Sequence, residues 1–525
     1  MKNKPKRCYT RLIDLILNTI LLLICVYTIW KAVRLSILPE SWLFLMIAAL
    51  LIIFFIFFIL MLKKTPKWVL IVKRSILVVL CAVIGFVGYS MRNAGKAIDK
   101  VSVYSKDNKV KIHLIATKSS EIQTAKDFSS KTVGIQNGTD QESSAYGCEQ
   151  LEKDAGNTIL YTEEIAYSTL ADLFLANMLD GMVISDDYLD MLNANVEGFK
   201  DSYRTIETYE MKRSIDESKQ KDVTKESFAL LVSGVDEMGA ADMTSLSDVN
   251  ILLFINPVSN SIIMLSLPRD SLMPRYSMNF ENDKLTHTGW GGISDTKQTI
   301  EHFFGIEIDY YAKVSFSSLI EIVDAIGGIT VDVEIAFSEQ DENRSFAAED
   351  LITLEAGEQH LNGKQALAYA RHRKTANYDV AGRERAQQRI IKAIIDKLMT
   401  PEGIAVYVNQ LMDTVPKYVV TDMPGNQITA FIKGELSELK PWSIQSLSNN
   451  NGIFDTRSVP NIPQGADCYL WNQYDYARVL DAYQATKDNL KFSDFNFSLN
   501  QPMKYLPNVT DNQMIVWDFL AIQPH

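Results

Sequence analysis

Late in the chain the run Arg371-His372-Arg373-Lys374 is followed by Arg383, Arg385 and Arg389. A guanidinium is planar, keeps its charge at any working pH and binds phosphate oxygens in pairs, so a cluster of them suits a pyrophosphate. The same residues also read as a helix with a solvated basic face. The tract stands out because the chain as a whole is acidic, with a formal net charge of -12.

Carboxylates and further cations recur where strand-like runs meet loops. Ser233-Gly234-Val235-Asp236 closes one apolar run and Ser247-Asp248 opens the next. In α/β sheets ligands gather at such edges. Either aspartate alone reads as a turn or cap residue. Two on one edge near arginines suit a hard divalent cation, since Mg2+ (or Mn2+ in its place) is usually held by one or two carboxylates plus phosphate oxygens. A third run ends in Ser266-Leu267-Pro268-Arg269-Asp270, where Arg269 and Asp270 also read as a plain ion pair. Lys284 and the turn Thr288-Gly289-Trp290-Gly291-Gly292 follow. Leu361 to Ala370 leads into Arg371 and Arg373, with Asp379, Gly382, Arg383 and Gln387 beyond.

The elements that carry these residues are legible as periodicity. Phe228 to Val232, Val249 to Ile255 and Ile262 to Leu267 are apolar runs of strand length, as in buried central strands. Helical patterns cover Thr296 to Phe304, Ser317 to Ile326 and Ala386 to Met399, so this part is expected to be an α/β/α sandwich. Ahead of it, Val110 to Ala116, Thr132 to Ile135, a helix at Gln141 to Ala155 and Met182 to Ile184 predict a small α/β domain. Part of that segment weakly resembles one lobe of a bacterial solute-binding domain, in which a strand ending in Gly-Thr leads into a ligand-facing helix; a spacer or docking role is the preferred reading.

Apolar runs at Leu12 to Trp30, Trp42 to Leu62 and Ser75 to Tyr89 each approach the ~20 residues that span a bilayer. Lys2, Lys4, Lys6, Arg7 and Arg11, and again Lys63, Lys64, Lys67, Lys73 and Arg74, place the N-terminus inside and everything after about Met91 outside. The expected layout is a membrane module at 1–91, an accessory domain at 92–211, a linker at 212–225, the main domain at 226–492 and a tail at 493–525. Of five cysteines only Cys148 and Cys468 lie beyond the membrane module, which is no disulfide framework. There is no P-loop, dinucleotide fingerprint or zinc spacing. DNA binding conflicts with a basic cluster on the outer side.

Taken together, the order and spacing of these motifs from Glu226 to Phe492 resemble the LytR-CpsA-Psr (LCP) proteins of bacterial cell envelopes, and the three spans with an added domain resemble the CpsA branch. The resemblance implies an LCP-type α/β/α sandwich with a mixed central sheet, at a bacterial, Gram-positive cell membrane. It implies a phosphotransferase: a glycopolymer of capsule or teichoic type, with capsular polysaccharide favoured by the resemblance to the CpsA branch, moves from a polyprenyl-pyrophosphate carrier to a peptidoglycan hydroxyl. Carried over residue by residue, Asp236 and Asp248 match Mg2+-associated aspartates. Arg269, Lys284, Arg371, Arg373, Arg383 and Gln387 match pyrophosphate contacts. Asp270 would orient an arginine or help activate the acceptor. Arg385 and Arg389 match nothing firmly, and Leu246 stands where the family often has arginine.

The implied partners are the lipid-linked polysaccharide, peptidoglycan, membrane lipid and capsule assembly proteins, with no nucleic acid. Leu319, Ile320, Ile322, Val323, Ile390, Ile394 and Leu398 are candidates for an apolar groove around the prenyl tail, each also readable as core. The rival readings are a non-catalytic membrane scaffold or regulator and a pyrophosphatase.

Overall fold

The computed structural model describes residues 4–490 apart from 64, 102–108, 139, 157, 213–220, 236–240, 242–244, 346, 374, 376–377, 379, 439, 448–451 and 461. The chain divides into two compact units, Met1–Ile98 with Asn426–Leu439, and Asp99–Gly425 with Lys440–His525.

The first unit holds α1 (Lys4–Leu35), α2 (Glu40–Leu62) and α3 (Lys67–Val101). Each contains a stretch long and apolar enough to cross a membrane: Leu12–Leu35, Glu40–Leu62 and Lys67–Ala94. The third is longer than the apolar run Ser75 to Tyr89 because its first turns carry Lys67, Lys73 and Arg74. Their charges interrupt the hydropathy but not the helix. Arg74 meets Asp14 of α1 at 2.8 Å, and Lys73 donates to the Leu60 carbonyl at 2.9 Å.

The second unit begins with a smaller α/β lobe. Its elements are β1 (Lys109–Thr117), β2 (Thr132–Gln136), α4 (Gln141–Ala155), β3 (Leu160–Glu164), α5 (Tyr167–Leu175), β4 (Gly181–Ser185), α6 (Asp186–Asn195), α7 (Phe199–Ser202) and β5 (Tyr203–Lys212). The sheet order is β3-β2-β4-β1-β5, with β2 parallel to β3 and β4.

The larger lobe follows with β6 (Phe228–Val235), β7 (Ser247–Asn256), β8 (Ser261–Ser266), β9 (Leu272–Arg275), β10 (Glu281–Lys284), a 3₁₀ helix at Leu285–Gly291, α8 (Gly292–Phe304), β11 (Tyr310–Val314) and α9 (Phe316–Ala325). Next come β12 (Ile329–Val333), β13 (Phe337–Glu339), β14 (Ile352–Leu354), β15 (Gly357–Leu361), α10 (Gly363–Arg371), α11 (Val380–Leu398), α12 (Pro401–Tyr418), β16 (Val420–Thr421) and α13 (Gly425–Glu438), the last grouping with the membrane unit. β17 (Ser443–Leu447), the hairpin β18 (Ile453–Val459) and β19 (Ile462–Leu470), and α14 (Gln473–Lys487) complete the described chain.

The central sheet has six strands in the order β16-β11-β6-β7-β8-β17 and is mixed: β6–β11 and β8–β17 pair in parallel, the rest antiparallel. Strand alternation divides the faces. Ala229, Leu231, Leu252, Phe254, Ile263 and Leu265 pack with Ile300, Phe303 and Phe304 of α8 and Val479 and Ala482 of α14. Leu230 and Val232 alternate onto the other face and are only half-buried, and Val232 lines a cavity there together with residues of α9 and α11. The cluster on the α8 side continues into Tyr167, Leu170, Phe174, Ile184 and Tyr188 of the smaller lobe, so the two lobes share buried surface.

Candidate functional site

The strand edge is fixed from below. Ser233 and Ser247 hydroxyls meet at 2.9 Å, Ser247 donates to Asn250 Oδ1 at 2.9 Å, and Asn250 Nδ2 returns a bond to the Ser247 carbonyl at 3.1 Å, all buried. A register shift between Gly234 and Val235 opens the β6–β7 pair at this end. Asp248 then faces Arg269, whose Nη1 donates to its Oδ1 at 2.7 Å, and Thr286, whose hydroxyl donates to the same oxygen at 2.9 Å. Thr286 is in place because its backbone N–H donates to the Arg269 carbonyl at 2.8 Å. The 3₁₀ helix that carries it fits because Gly289 has no side chain: a Cβ there would collide with the Ser245 carbonyl and the Ser247 amide. Asp270 lies 3.7 Å from Arg269 Nε and pairs with Lys284 Nζ.

The arginine tract reaches the same place from α10 and α11. Asn362 caps α10 by accepting from Gln365 N at 2.9 Å while Gln365 Oε1 accepts from Asn362 N at 3.0 Å, a box worth about 1 kcal/mol. A Cβ on Gly363 would strike the Ile320 backbone, so glycine lets α10 abut α9. Helix geometry ends at Arg371; His372 is extended, with φ −60° and ψ 133°. From there side chains alternate. His372 is buried, with Nδ1 3.1 Å from Glu339 Oε2, Nε2 2.8 Å from the Thr375 hydroxyl and its ring stacked 4.1 Å from Phe337. Arg371, over the Phe316 ring at 4.9 Å, and Arg373 line the cavity.

Arg383 is 8 % exposed, and its Nε has no hydrogen-bond partner among the described residues. Burial, then the like charge of Arg269, and further the like charge of Arg373, hold its pKa below the ordinary arginine value, against an opposing pull from Asp248. An anion among these groups removes both penalties. Gln387 donates to the Ala370 carbonyl at 3.2 Å and lines the same cavity. Arg385 and Arg389 turn away: Arg385 forks onto Glu334 at 3.1 and 2.9 Å, and Arg389 donates to the Asp332 carbonyl at 2.8 Å. Lys374, Asp379 and Asp236 lie outside the described residues.

The cavity measures about 360 Å³. Its polar lining is Asp248, Arg269, Ser315, Glu339, Gln340, Arg344, Arg371, Arg373, Arg383 and Gln387; its apolar walls include Val232, Val249, Val314, Phe316, Leu319, Ile322, Ile390, Ile391, Ile394 and Ile395. Of the expected groove residues, Leu319, Ile322, Ile390 and Ile394 line it. Ile320 and Val323 are buried in core clusters, and Leu398 packs against one. The sequence reading missed Thr286, His372, Gln340 and Arg344. The first two look like ordinary helix residues, and the last two sit in an acidic loop that resembles solvated surface.

The smaller lobe also presents strand ends. Gln136 Oε1 accepts from Gly138 N at 3.1 Å and Asp140 N at 2.7 Å, and Asp140 Oδ2 accepts from Tyr167 at 3.1 Å and Ser185 at 2.5 Å. All four of those side chains are buried. Gly291, Gly292 and Ile293 of the larger lobe cover this end and leave a pocket of only about 30 Å³.

Comparison with known proteins bears on the same part of the chain. A family model described as the LytR_cpsA_psr family matches residues 194–481. The polyisoprenyl-teichoic acid–peptidoglycan teichoic acid transferase TagU of Bacillus subtilis is 32% identical over 254 residues, covering 46% of this chain and 78% of that one. TagV of the same organism, of the same description, is 32% identical over 186 residues, covering 35% of this chain and 47% of TagV. The crystal structure of B. subtilis TagV aligns with 26% identity and a TM-score of 0.41 over 50% of this chain and 98% of that one. The match to the family model spans more than half of the sequence and contains the whole polar cluster, so the chain belongs to the LytR_cpsA_psr family.

Proposed function

We propose that this protein moves a glycopolymer from a polyprenyl-pyrophosphate carrier to a sugar hydroxyl of peptidoglycan, as a phosphodiester. The observation that carries the reading is the cavity itself: an apolar chamber whose polar lining includes five guanidiniums, one of them buried with an Nε that has no hydrogen-bond partner among the described residues. A prenyl tail suits the isoleucine-rich walls, and a pyrophosphate suits the arginines. The transferase descriptions of TagU and TagV support the same chemistry.

In the proposed reaction the acceptor oxygen bonds to the glycan-bearing phosphorus, the bridging P–O bond breaks, and prenyl phosphate departs with the hydroxyl's proton. Charge builds on the leaving phosphate. Arg371, Arg373 and Arg383 stabilise it from fixed positions, without reorganising. Asp270, bracketed by Arg269 and Lys284, serves to orient those two cations. Both bonds made to Asp248 fall on Oδ1, and among the described residues none is made to Oδ2, so the donor set fits a divalent cation. Asp248 and Asp236 would hold Mg2+, which when bound offsets phosphate charge. Among the described residues no cluster of three or more metal-ligating side chains occurs, consistent with a cation that takes its remaining ligands from phosphate and water.

We place the reaction on the outer face of a bacterial cell membrane, since the lysines and arginines at the N-terminus and around the start of α3 favour the inside for those segments. Capsular polysaccharide is the polymer we favour, on the three-span module and the added lobe; TagU and TagV are named for teichoic acid. Transfer by the purified full-length protein from synthetic prenyl-pyrophosphoryl glycans of both kinds to peptidoglycan oligomers, with and without Mg2+, tests each element. Arg371→Ala with Arg373→Ala should abolish transfer while the protein stays folded and in the membrane. Full activity of that double variant overturns the reading. Tight donor binding by wild type without transfer makes the protein a scaffold, and released phosphopolymer with no acceptor requirement makes it a pyrophosphatase.

A further inference from the structure

We propose that Arg344 is a further cationic contact for the donor's pyrophosphate, presented at the cavity by a turn that keeps its backbone in a left-handed conformation. The proposal rests on reading the cavity as the pyrophosphate site. Arg344 lines that cavity together with Arg269, Arg371, Arg373 and Arg383, yet it comes from the loop after β13, which none of the others uses.

Its φ is 61°. For an L residue this brings Cβ against the backbone and is uncommon outside glycine, asparagine and aspartate. Among the described residues, positive φ outside glycine otherwise falls on serines, asparagines and Phe280. Such a conformation persists only where surrounding bonds over-determine it, and here they do. Asp341 Oδ1 accepts from Asn343 N at 3.1 Å and Ser345 N at 2.8 Å, and its Oδ2 accepts from Asn343 Nδ2 at 3.1 Å. The Asp341 carbonyl accepts both the Arg344 N–H and Arg371 Nη1, each at 3.1 Å. Gln340 Nε2 donates to the Arg344 carbonyl at 2.7 Å.

The turn is therefore bonded to Arg371 of the pyrophosphate set, and the two guanidiniums are tied to one piece of backbone. A turn of this shape has no need of arginine, because glycine or asparagine adopts it with less strain. Keeping arginine there retains a cation at the cavity against a local conformational penalty. That combination is expected of a binding group and not of a filler.

The test uses the full-length protein in detergent micelles with farnesyl pyrophosphate as the binding probe, and the prenyl-pyrophosphoryl glycan as the transfer donor. Arg344→Asn and Arg344→Gly should melt at the wild-type temperature or above it. Both should bind the probe roughly 10- to 100-fold more weakly and lose kcat/KM for the donor to a similar degree. Arg344→Lys should recover part of the binding, having the charge without the fork. Wild-type probe affinity in the asparagine and glycine variants overturns the proposal, as does a melting temperature that falls in step with affinity, which makes the residue structural. A wild-type protein that binds the probe but transfers nothing overturns the transfer reading alone, and the affinities still decide Arg344.

Discussion

Two sheets in this protein end in polar side chains, and they are finished in opposite ways. In the smaller lobe the ends of β2 and β4 gather Gln136, Asp140, Tyr167 and Ser185, whose hydrogen bonds close on one another. A glycine turn from the larger lobe then covers them, leaving room for about one water. In the larger lobe the ends of β6, β7 and β8 border an open cavity lined by two carboxylates and five arginines, and Arg383 Nε has no hydrogen-bond partner among the described residues. Buried polar groups are normally satisfied within the fold. The closed edge obeys that rule and reads as architecture; the open edge departs from it where a phosphate would complete the bonding.

The contrast can be broken most sharply at Arg383. Arg383→Met should lower transfer by about 10²–10³, while the melting temperature holds or rises because a crowded, buried charge is gone; a collapse of the fold would place Arg383 on the architectural side. At the closed edge the expectation reverses. Asp140→Ala removes the carboxylate that accepts from the Tyr167 and Ser185 hydroxyls and should cost about 1–3 kcal/mol of stability, read by thermal unfolding, with the donor KM unchanged. Filling the apolar chamber sharpens the comparison further: Ile394→Trp should raise the donor KM about tenfold, some 1.4 kcal/mol, without loss of stability. The smallest effect belongs to Arg385→Ala, which breaks an exposed fork to Glu334. It should cost about 0.2–1 kcal/mol and leave transfer rates at wild type, and a large rate loss would return this arginine to the site.

The layered architecture was legible because the strands of the larger lobe are bounded apolar runs and the helices have a clear 3.6-residue pattern; Gln141–Ala155 matches to the residue. The strand-edge positions of Asp248 and Arg269 were legible for the same reason. The division of the arginine tract came from the family resemblance and not from the residue pattern, because α11 sends Arg383 toward the sheet edge and Arg385 toward Glu334, and Glu334 lies in a distant segment. Arg344 was hidden by its neighbours: Asp341, Glu342 and Asn343 make a stretch that composition reads as solvated, and only the fold brings its backbone against Arg371. The third long apolar helix was underestimated, since hydropathy cannot see that Arg74 has Asp14 as a partner sixty residues away. In each case the missing information was a long-range contact.

The abrupt change from helix to extended backbone at Arg371–His372 has a consequence for how the segment tolerates length changes. Across residues 371 to 373 the chain is counted in twos: odd positions face the cavity and the even one fills a slot between Phe337 and Glu339. Adding or removing one residue there would send a guanidinium into the slot and the imidazole into the cavity, although no residue type had changed. Substitutions at these positions can be graded in their effects, whereas a single-residue insertion is all or nothing, and the spacing between the Asn362 cap and His372 is as much a part of the site as the arginines themselves.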